Sequence, residues 1–536
     1  MKLFKKLGII SLALTTLVGV ASCDIESLNK NGAQINLDVD LNEKIELKVL
    51  YPNSGMSNTE FKKSRTTQYF EEITGYKVSY EQALSDMGNL VGNIMMSKLD
   101  YNMLKLESGT YMAMVSEGNF VDLKPALEKF GQNILNTIPQ EAWDSVTQDG
   151  KIYAIPEIGF GQMIGSGLIW NMRQLNEVGI TKTPETISEV HEALTKLQDK
   201  FGTEANNHQY HAFAMQAAQA YIEPLACAFD LNKDFYVNAN NEVAHVMYSD
   251  NYLPYMKWLN ELKRYNCISD EWQGYDCTKM IENFAKGNLG CAFLPYWYIN
   301  SLVTSLAANK EFANEDEARE SIAWSLHIKG DGTHGSAVQE KPKTLYYQSI
   351  GYYITIPAHM AEYGAYVIDW IDKRITDEAF EGYRLGEEGV HYEIVDSSDP
   401  DGIKVKIAGN DTYIKLKTKY KTQILPTSMY QTGVNPEVAK ELWKISEISY
   451  NCWEILVDTD YDNIVGNALG MAPYIKGWSE IDIEARSWVL TYEQQIINAN
   501  SDEVFDEKFN FMTTTWLQQK WTKEVNDNVQ AWHKSK

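Results

Sequence analysis

The feature that most constrains this chain is an alternation of strand-like and helix-like runs that begins near Lys44. Residues 46–51 have the pattern of a β-strand, residues 59–74 are typical of a helix, and residues 76–80 are again strand-like. Such alternation favours an α/β architecture. About 490 residues follow residue 43, more than a single hydrophobic core usually supports, so two domains are predicted.

No internal repeat and no long linker separates these two domains in the sequence. A boundary without a linker is typical of lobes between which the chain passes more than once. The predicted fold class is therefore α/β with two lobes that share no single boundary.

The first 22 residues have the composition of a secretory signal peptide. Lys2, Lys5 and Lys6 precede an apolar run over residues 7–20, and small residues then lead to Cys23. A membrane-spanning helix needs about 20 apolar residues, so this shorter run is predicted to target the chain without spanning the bilayer. Residues 24–43 are polar, rich in Asn and Asp and free of aromatics, which predicts a flexible tether from residue 23 to residue 43.

The end of the signal peptide, Val20-Ala21-Ser22-Cys23, resembles the lipobox of bacterial lipoproteins. In that motif the cysteine thiol receives a diacylglyceryl group, and two acyl chains anchor a protein stably where one is marginal. The resemblance predicts lipidation of Cys23 and a place on the outer face of the bacterial cell membrane. Ordinary secretion, with a cysteine at the cleavage site by chance, is the alternative.

The chain is acidic, with 73 Asp and Glu against 48 Lys and Arg, so nucleic acid is not an expected partner. An odd number of cysteines follows Cys23, and none forms a CxxC pair. They are Cys227, Cys267, Cys277, Cys291 and Cys452. A disulfide between Cys267 and Cys277 is one alternative in an oxidising compartment, but spacing does not determine pairing, and buried free thiols are the preferred interpretation.

Several segments occur together in an order known from one family of binding proteins. DGKIYAIP at 149–156 combines a Gly turn with a strand that ends in proline, and GLIWNM at 167–172, LNEVGI at 175–180 and PET at 184–186 follow it. Further on come NFAKGNLG at 283–290, in which a helix ends at Gly before a buried strand, a packed helix at 365–371, and GEEGVHY at 386–392. Together these segments resemble the family-1 extracellular solute-binding proteins of ABC transporters, in the large lipoprotein branch.

The resemblance implies a type II periplasmic-binding-protein-like fold, with two lobes joined by about three hinge crossings near residues 152–158, 322–330 and 390–430. Lobe 1 is then expected to contain residues 44–155 and 325–395, and lobe 2 residues 156–324 and 396–536. The implied function is capture of a small nutrient in the cleft between the lobes and its delivery to ABC permease subunits. The resemblance implies a monomer without catalytic residues or cofactors.

An oligosaccharide is the expected ligand, because 32 Tyr and 14 Trp offer flat surfaces for the apolar faces of sugar rings. Trp297 is the principal expected contact, with Tyr296 beside it, because sugar-binding relatives place a stacking tryptophan after the corresponding buried strand. Tyr221 and Glu223 resemble a family segment that brings an aromatic ring and a carboxylate to the cleft from lobe 2. A peptide on the same fold is the runner-up ligand.

Five further residues are expected to contact the ligand. They are Asn53, Glu107, Glu157, Phe160 and Trp478. The first two follow strands of lobe 1, the next two lie on the crossing strand, and Trp478 precedes the C-terminal helices expected near residues 479–498 and 505–532. Ligands of α/β sheets bind beyond the carboxyl ends of strands. Ordinary packing is the alternative interpretation for each of the five.

The sequence contains no HExxH, no GxSxG and no Walker P-loop motif. A secreted glycoside hydrolase is the least favoured alternative, which sequence does not exclude because its two carboxylates are set by distance in space. His208 and His211, with Glu204 nearby, raise metal capture as a third hypothesis, but scattered surface histidines are the favoured interpretation. Residues 201–207 stand where relatives often carry a calcium loop and hold a single carboxylate, so no metal site is predicted.

Overall fold

The computed structural model describes residues 33–52, 65–83, 87–115, 117–159, 166–202, 209–216, 223–295, 298–309, 312–325, 327–346, 349–376, 393–398, 402–407, 410–415 and 462–536, together with 59, 379 and 388–389. The strands are β1 (Glu46–Pro52), β2 (Lys77–Ala83), β3 (Met103–Leu106), β4 (Thr147–Gln148), β5 (Lys151–Ile152), β6 (Ile155–Gly159), β7 (Ser166–Asn171), β8 (His211–Ala214), β9 (Phe235–Val237), β10 (Val243–His245), β11 (Leu289–Pro295), β12 (Ile322–Ser325), β13 (Lys343–Tyr346), β14 (Ser349–Thr355), β15 (Glu393–Asp396), β16 (Gly402–Ile407), β17 (Asn410–Lys415) and β18 (Asp462–Val465).

The helices are α1 (Arg65–Thr74), α2 (Met87–Ser97), α3 (Ser108–Val115), α4 (Lys124–Phe130), α5 (Gln132–Thr137), α6 (Gln140–Val146), α7 (Met172–Glu177), α8 (Ile187–Phe201), α9 (Glu223–Ala228), α10 (Tyr252–Arg264), α11 (Cys277–Ala285), α12 (Ile299–Ala307), α13 (Glu315–Glu320), α14 (Gly364–Arg374), α15 (Asp482–Ile497), α16 (Asp502–Thr515) and α17 (Lys523–Ser535). Strands and helices alternate along most of the chain, so the predicted α/β class is confirmed.

The first lobe is built on a five-stranded mixed sheet in the order β2-β1-β3-β14-β6. β1 pairs in parallel with β2 and β3, whereas β14 is antiparallel to both β3 and β6. All four residues of β3 are buried, as expected for a central strand with helices on both faces. α14 returns to this lobe late in the chain and packs against α1 and α4.

The second lobe is built on a four-stranded sheet in the order β12-β7-β11-β8. All seven residues of β11 are buried. α11 ends just before this strand, and Gly287 between them has a φ of +76°, a left-handed conformation that glycine adopts without a steric penalty. The helix, glycine and buried strand predicted at residues 283–290 are therefore confirmed.

α8 starts at a capping box. Thr186 Oγ1 accepts a hydrogen bond from the backbone N–H of Glu189, and the Glu189 carboxylate accepts one from the N–H of Thr186 at 3.1 Å. Two otherwise unpaired N–H groups are satisfied in this way. Ile187, Val190 and Leu194 follow at helical spacing and are buried, so this face of α8 packs against the core of the second lobe.

The C-terminal helices pack on the second sheet. Their apolar residues share one core with residues of β7 and α10, including Trp258 and Trp516. The helix predicted over residues 505–532 is interrupted, because a π-helical turn at 516–520 separates α16 from α17. Thr522 caps α17 by accepting from the N–H of Val525, and the buried Trp521 precedes this cap. Burial of the tryptophan and the new cap account for the break.

Residues 33–43 differ from the predicted flexible tether. Ile35 is 8 % exposed, and its Cδ1 atom would lie 2.6 Å from a Cβ placed on Gly364 of α14. Leu37 also packs against the first-lobe core, and its carbonyl oxygen accepts a hydrogen bond from Lys129 Nζ at 2.7 Å. Ile35, Leu37 and Val39 alternate with polar residues, which is the signal of a packed extended segment that the prediction overlooked.

The chain passes between the two sheets more than once. It leaves the first sheet after β6 and enters the second at β7, returns between β12 and β14, and leaves again after α14 to reach the C-terminal helices. β6 pairs within the first sheet as far as Gly159, beyond the predicted lobe limit at residue 155. The segment after β12 also remains with the second lobe, since Ile328 lies in its core and Ala337 N donates to Ala228 O at 3.2 Å.

Four cysteines lie in the described part of the chain, and all four are free and buried: Cys227, Cys267, Cys277 and Cys291. This confirms for these four the interpretation as buried free thiols and argues against the Cys267–Cys277 disulfide. Cys23 and Cys452 lie outside the described residues. Within the described part of the chain, no helix combines the length and the apolar character needed to cross a membrane.

Candidate ligand-binding site

Five strand ends of the first sheet meet at one edge. β6 runs parallel to β1, β2 and β3, because β6 and β3 are both antiparallel to β14. The residues at this edge are Pro52, Ala83, Leu106, Gly159 and Ser349. Three predicted ligand residues, Asn53, Glu107 and Phe160, directly follow three of these ends in the chain.

Four strand ends of the second sheet also meet at one edge. Ser166 at the start of β7 is paired with Pro295 at the end of β11, and β8 and β12 end on the same side. The residues at this edge are Ser166, Ala214, Pro295 and Ser325. In the sequence, Tyr296 and Trp297 come directly after Pro295.

The chain joins these two edges twice, from Gly159 to Ser166 and from Ser325 to Ser349. Only six residues separate Gly159 from Ser166, and an extended chain spans at most about 3.5 Å per residue, so these two ends lie within about 25 Å of each other. The chain therefore holds one end of the first sheet within about 25 Å of one end of the second, and five of the nine predicted ligand residues follow strand ends at these two edges in the sequence.

A buried ion pair lies just behind the edge of the first sheet. Lys105 of β3 and Glu157 of β6 meet across β14, and Lys105 Nζ lies 2.9 Å from Glu157 Oε1 and 2.8 Å from Oε2. The Lys105 ammonium also lies 4.2 Å from the centre of the Tyr352 ring. Desolvation lowers the pKa of Lys105, while the carboxylate of Glu157 opposes that shift. Glu157 is therefore a partner of Lys105 and holds three strands together at this edge.

Sequence reasoning missed the Lys105 side chain and the Tyr352 ring. Neither residue carries a motif, and a lysine inside an apolar strand is a weak signal until its carboxylate partner is located. The register of β14 shows the reason for the contact, because Ile354 lies opposite Lys105 and Tyr352 lies opposite Glu157. Residues two apart on a strand share a face, so the three side chains meet on one face of the sheet.

Glu107 is exposed immediately after β3, where its carboxylate is available to a ligand. Two residues later, Gly109 in α3 lies against Ile483 at the start of α15, in the second lobe. A Cβ atom on Gly109 would lie 2.6 Å from Ile483 Cδ1. The absence of a side chain at Gly109 therefore permits the close approach of helices from the two lobes.

Glu223 begins α9, and its side chain is 19 % exposed. Burial raises the pKa of its carboxyl group, while Lys233 Nζ, 3.7 Å from Oε1, opposes the shift. Acidic groups at the start of a helix are stabilised by the helix dipole. A carboxyl group in this position can accept a hydrogen bond from a ligand hydroxyl, and when protonated can donate one.

Trp478 lies inside the core of the second lobe and is 4 % exposed. Its ring centre lies 4.9 Å from that of Phe235 and 5.5 Å from that of Trp521, and both pairs have an edge-to-face arrangement. This is the environment of a side chain packed in the core, so we expect Trp478 to stabilise the second lobe and not to contact the ligand.

Five predicted ligand residues lie outside the described residues: Asn53, Phe160, Tyr221, Tyr296 and Trp297. The same holds for His208 and Glu204 of the metal-capture hypothesis. His211, the third member of that group, begins β8, and its Nδ1 lies 3.1 Å from the Asn266 carbonyl oxygen.

Searches by sequence match the chain to no protein family and to no curated protein. Solved structures do match. The S. pneumoniae ABC-transporter substrate-binding protein FusA, solved in complex with kestose, is 15 % identical, with a TM-score of 0.60 over 92 % of this chain and 100 % of FusA. The alginate-binding protein AlgQ2, solved without calcium ion, is 13 % identical, with a TM-score of 0.61 over 92 % of this chain and 99 % of AlgQ2.

A third similar structure is an HMO-binding solute-binding protein associated with an ABC transporter of Bifidobacterium longum infantis. It is 13 % identical, with a TM-score of 0.56 over 92 % of this chain and 99 % of the other. These similarities extend over nearly the whole of each protein and confirm the predicted two-lobed architecture. The chain therefore has the fold of the extracellular solute-binding proteins of ABC transporters.

Proposed function

We propose that this protein captures an oligosaccharide between its two lobes, outside the cell, and delivers it to an ABC importer. One observation supports the proposal: a six-residue connection holds strand ends of the two sheets within about 25 Å of each other, and Asn53, Glu107, Phe160, Tyr296 and Trp297 follow strand ends at these edges in the sequence. A ligand that contacts both lobes stabilises the closed arrangement through its higher affinity for that state, and no covalent step is required.

The choice of an oligosaccharide rests on two further considerations. Aromatic rings and carboxylates, the residue types predicted at these positions, suit a sugar, whose C–H faces stack on rings while its hydroxyls donate to carboxylates. The similar structures include proteins that bind kestose and alginate, and one described as HMO-binding. A peptide remains the second candidate ligand, because the same fold offers backbone and side-chain hydrogen bonds to either class.

The test is a thermal-shift screen of the protein starting at residue 24, against oligosaccharides, peptides and polyols. A ligand that binds only the native state raises the melting temperature. We expect one series of glycans to do so, and Trp297→Ala to abolish the shift. Trp532→Ala, in the last helix, is the matched control, since it removes an indole that packs against the core of the second lobe and is not among the predicted ligand contacts. A shift with peptides alone would replace the sugar by the peptide, and hydrolysis of a chromogenic glycoside would contradict a purely binding role.

We also propose that Cys23 carries a lipid anchor on the outer face of the cell membrane. The proposal rests on the lipobox-like residues 20–23 and the signal-peptide pattern before them. Metabolic labelling with a radioactive fatty acid should mark the wild-type chain and not Cys23→Ala. Release of unlabelled wild-type protein into the medium would favour ordinary secretion instead.

A further inference from the structure

Three potential metal ligands converge on the surface of the second lobe, among residues that the proposed function does not use. His191 lies on α8, Glu261 on α10, and His334 in the segment after β12. Glu261 Oε2 is 3.2 Å from His334 Nδ1, and Glu261 Oε1 is 4.0 Å from His191 Nε2. One ligand atom from each of the three residues lies within 4.8 Å of the other two.

The backbone holds His334 in an unusual conformation at this place. Its φ is +51°, and it is flanked by Gly332 at +83° and Gly335 at +80°. A non-glycine residue with positive φ costs free energy, and such residues occur often at functional sites. A Cβ on Gly335 would lie 2.7 Å from Pro254 Cβ, so this turn packs directly against α10.

Asp331 fixes the same turn to α8. Its carboxylate accepts hydrogen bonds from the N–H of Ser188 at 3.2 Å and from the N–H of Thr333 at 3.1 Å. Its pKa is held far below the ordinary value by these and neighbouring hydroxyl hydrogen bonds, which exceed the effect of partial burial. The turn that presents His334 is therefore attached to both helices that present the other two ligands.

We propose that His191, Glu261 and His334 form a Zn²⁺ site that joins α8, α10 and the turn at residues 331–336, with water at the fourth position. Two imidazoles and one carboxylate form a ligand set that zinc accepts. Tetrahedral bonds of 2.0–2.2 Å place ligand atoms about 3.4 Å apart, so the separations of 3.2 and 4.0 Å need only small side-chain movements. The three side chains are 20, 52 and 25 % exposed, which leaves a path for the ion.

Zinc binding costs His191 one hydrogen bond. The rings of His191 and His334 stack with centres 4.1 Å apart, and Trp258 Nε1 donates to His191 Nδ1 at 3.2 Å. Coordination through Nε2 places the ring proton on Nδ1, so the hydrogen bond that Nδ1 accepts from Trp258 is lost. The loss of that bond opposes binding, so the affinity is expected to be lower than that of a buried four-ligand site. It also makes the emission of Trp258 a reporter of binding.

The test is calorimetric titration of tag-free protein, starting at residue 24 and treated with EDTA, with ZnCl₂. We expect one strong site per chain, a change in tryptophan emission and a higher melting temperature. His334→Asn and Glu261→Gln should each weaken binding by about tenfold or more. Asn is chosen because it tolerates the positive φ of residue 334. His533→Ala is the control, because it removes a surface histidine that contacts Asn241 and belongs to none of the described ligand clusters.

Circular dichroism melts in EDTA establish that each variant is folded before titration. Unchanged zinc affinity in both His334→Asn and Glu261→Gln, or absence of a strong site in the wild type, would overturn the proposal. Equal weakening by His533→Ala would also overturn it, because binding would then be spread over surface histidines. Strong binding of CaCl₂ or MgCl₂ at this site, abolished by Glu261→Gln but not by His334→Asn, would assign it to a hard cation and not to zinc.

Discussion

Lys105 and Glu157 form an ion pair across a strand that belongs to neither of them, with Nζ 2.8 Å from Oε2 and the Lys105 side chain 1 % exposed. Glu157→Gln would leave the ammonium buried opposite a neutral amide, and breaking a buried pair on one side costs about 3–5 kcal/mol. We expect urea denaturation to show a loss of that order. The double variant Lys105→Met, Glu157→Leu should lose less, because no charge remains buried. A Glu157→Gln protein as stable as the wild type would contradict this structural role.

Replacement of Trp478 tests whether this side chain packs in the core or contacts the ligand. Because the ring packs against Phe235 and Trp521, Trp478→Ala should destabilise the protein by about 3–5 kcal/mol. At a temperature where the variant remains folded, we expect its affinity for the identified ligand to equal that of the wild type. A selective loss of affinity without a loss of stability would restore Trp478 as a ligand contact.

Gly109 and Ile483 connect the two lobes, and their coupling is measurable. Alanine is favoured over glycine inside a helix by about 1 kcal/mol, but the new methyl group would meet Ile483 Cδ1. We therefore expect Gly109→Ala to stabilise the protein more in an Ile483→Ala background than in the wild type. A double-mutant cycle from denaturation midpoints measures the difference. A coupling energy of zero would show that the two helices do not touch in solution.

The buried His245 should make the stability of the protein sensitive to acid. Burial lowers the pKa of this histidine to about 4, so between its ordinary value of 6.5 and about 4 the unfolded chain binds the proton and the folded chain does not. The free energy of unfolding should therefore fall as pH drops through this window, by about 3 kcal/mol once the pH is below 4. His245→Phe lacks this titration, so denaturation midpoints measured from pH 7 to pH 4 should fall less steeply. If the denaturation midpoints of the wild type and His245→Phe fell equally with pH, His245 would not be the cause of the acid sensitivity.

Trp297 carries the strongest prediction for ligand capture. If a sugar ring stacks on it, Trp297→Ala should weaken binding by at least tenfold, and Trp297→Phe should weaken it less because a smaller flat ring remains. Fluorescence titration with the glycan found in the screen measures both affinities. Equal affinities for wild type and Trp297→Ala would remove this residue from the site while leaving the oligosaccharide proposal open to other contacts.

The local pattern of the sequence was sufficient to predict much of the secondary structure and the fold class of this protein. The strand at 46–51, the helix and buried strand around Gly287 and the alternation that defines the α/β class all depend on neighbours within a few residues, so periodicity predicts them. It also predicts that Asn53, Glu107 and Trp297 follow strand ends. The same rule, applied to Ile35 and Leu37, would have predicted the packed segment that was assigned to the tether.

Only the tertiary structure decided which distant residues meet. Lys105 and Glu157 are 52 positions apart, and His191, Glu261 and His334 come from three separate segments. Such contacts follow from strand register and helix packing, which depend on the whole core and leave no local period in the sequence. For the same reason the sequence identified Trp478 as an aromatic residue near the C-terminal helices, whereas its burial depends on rings contributed by strands and helices from distant parts of the chain.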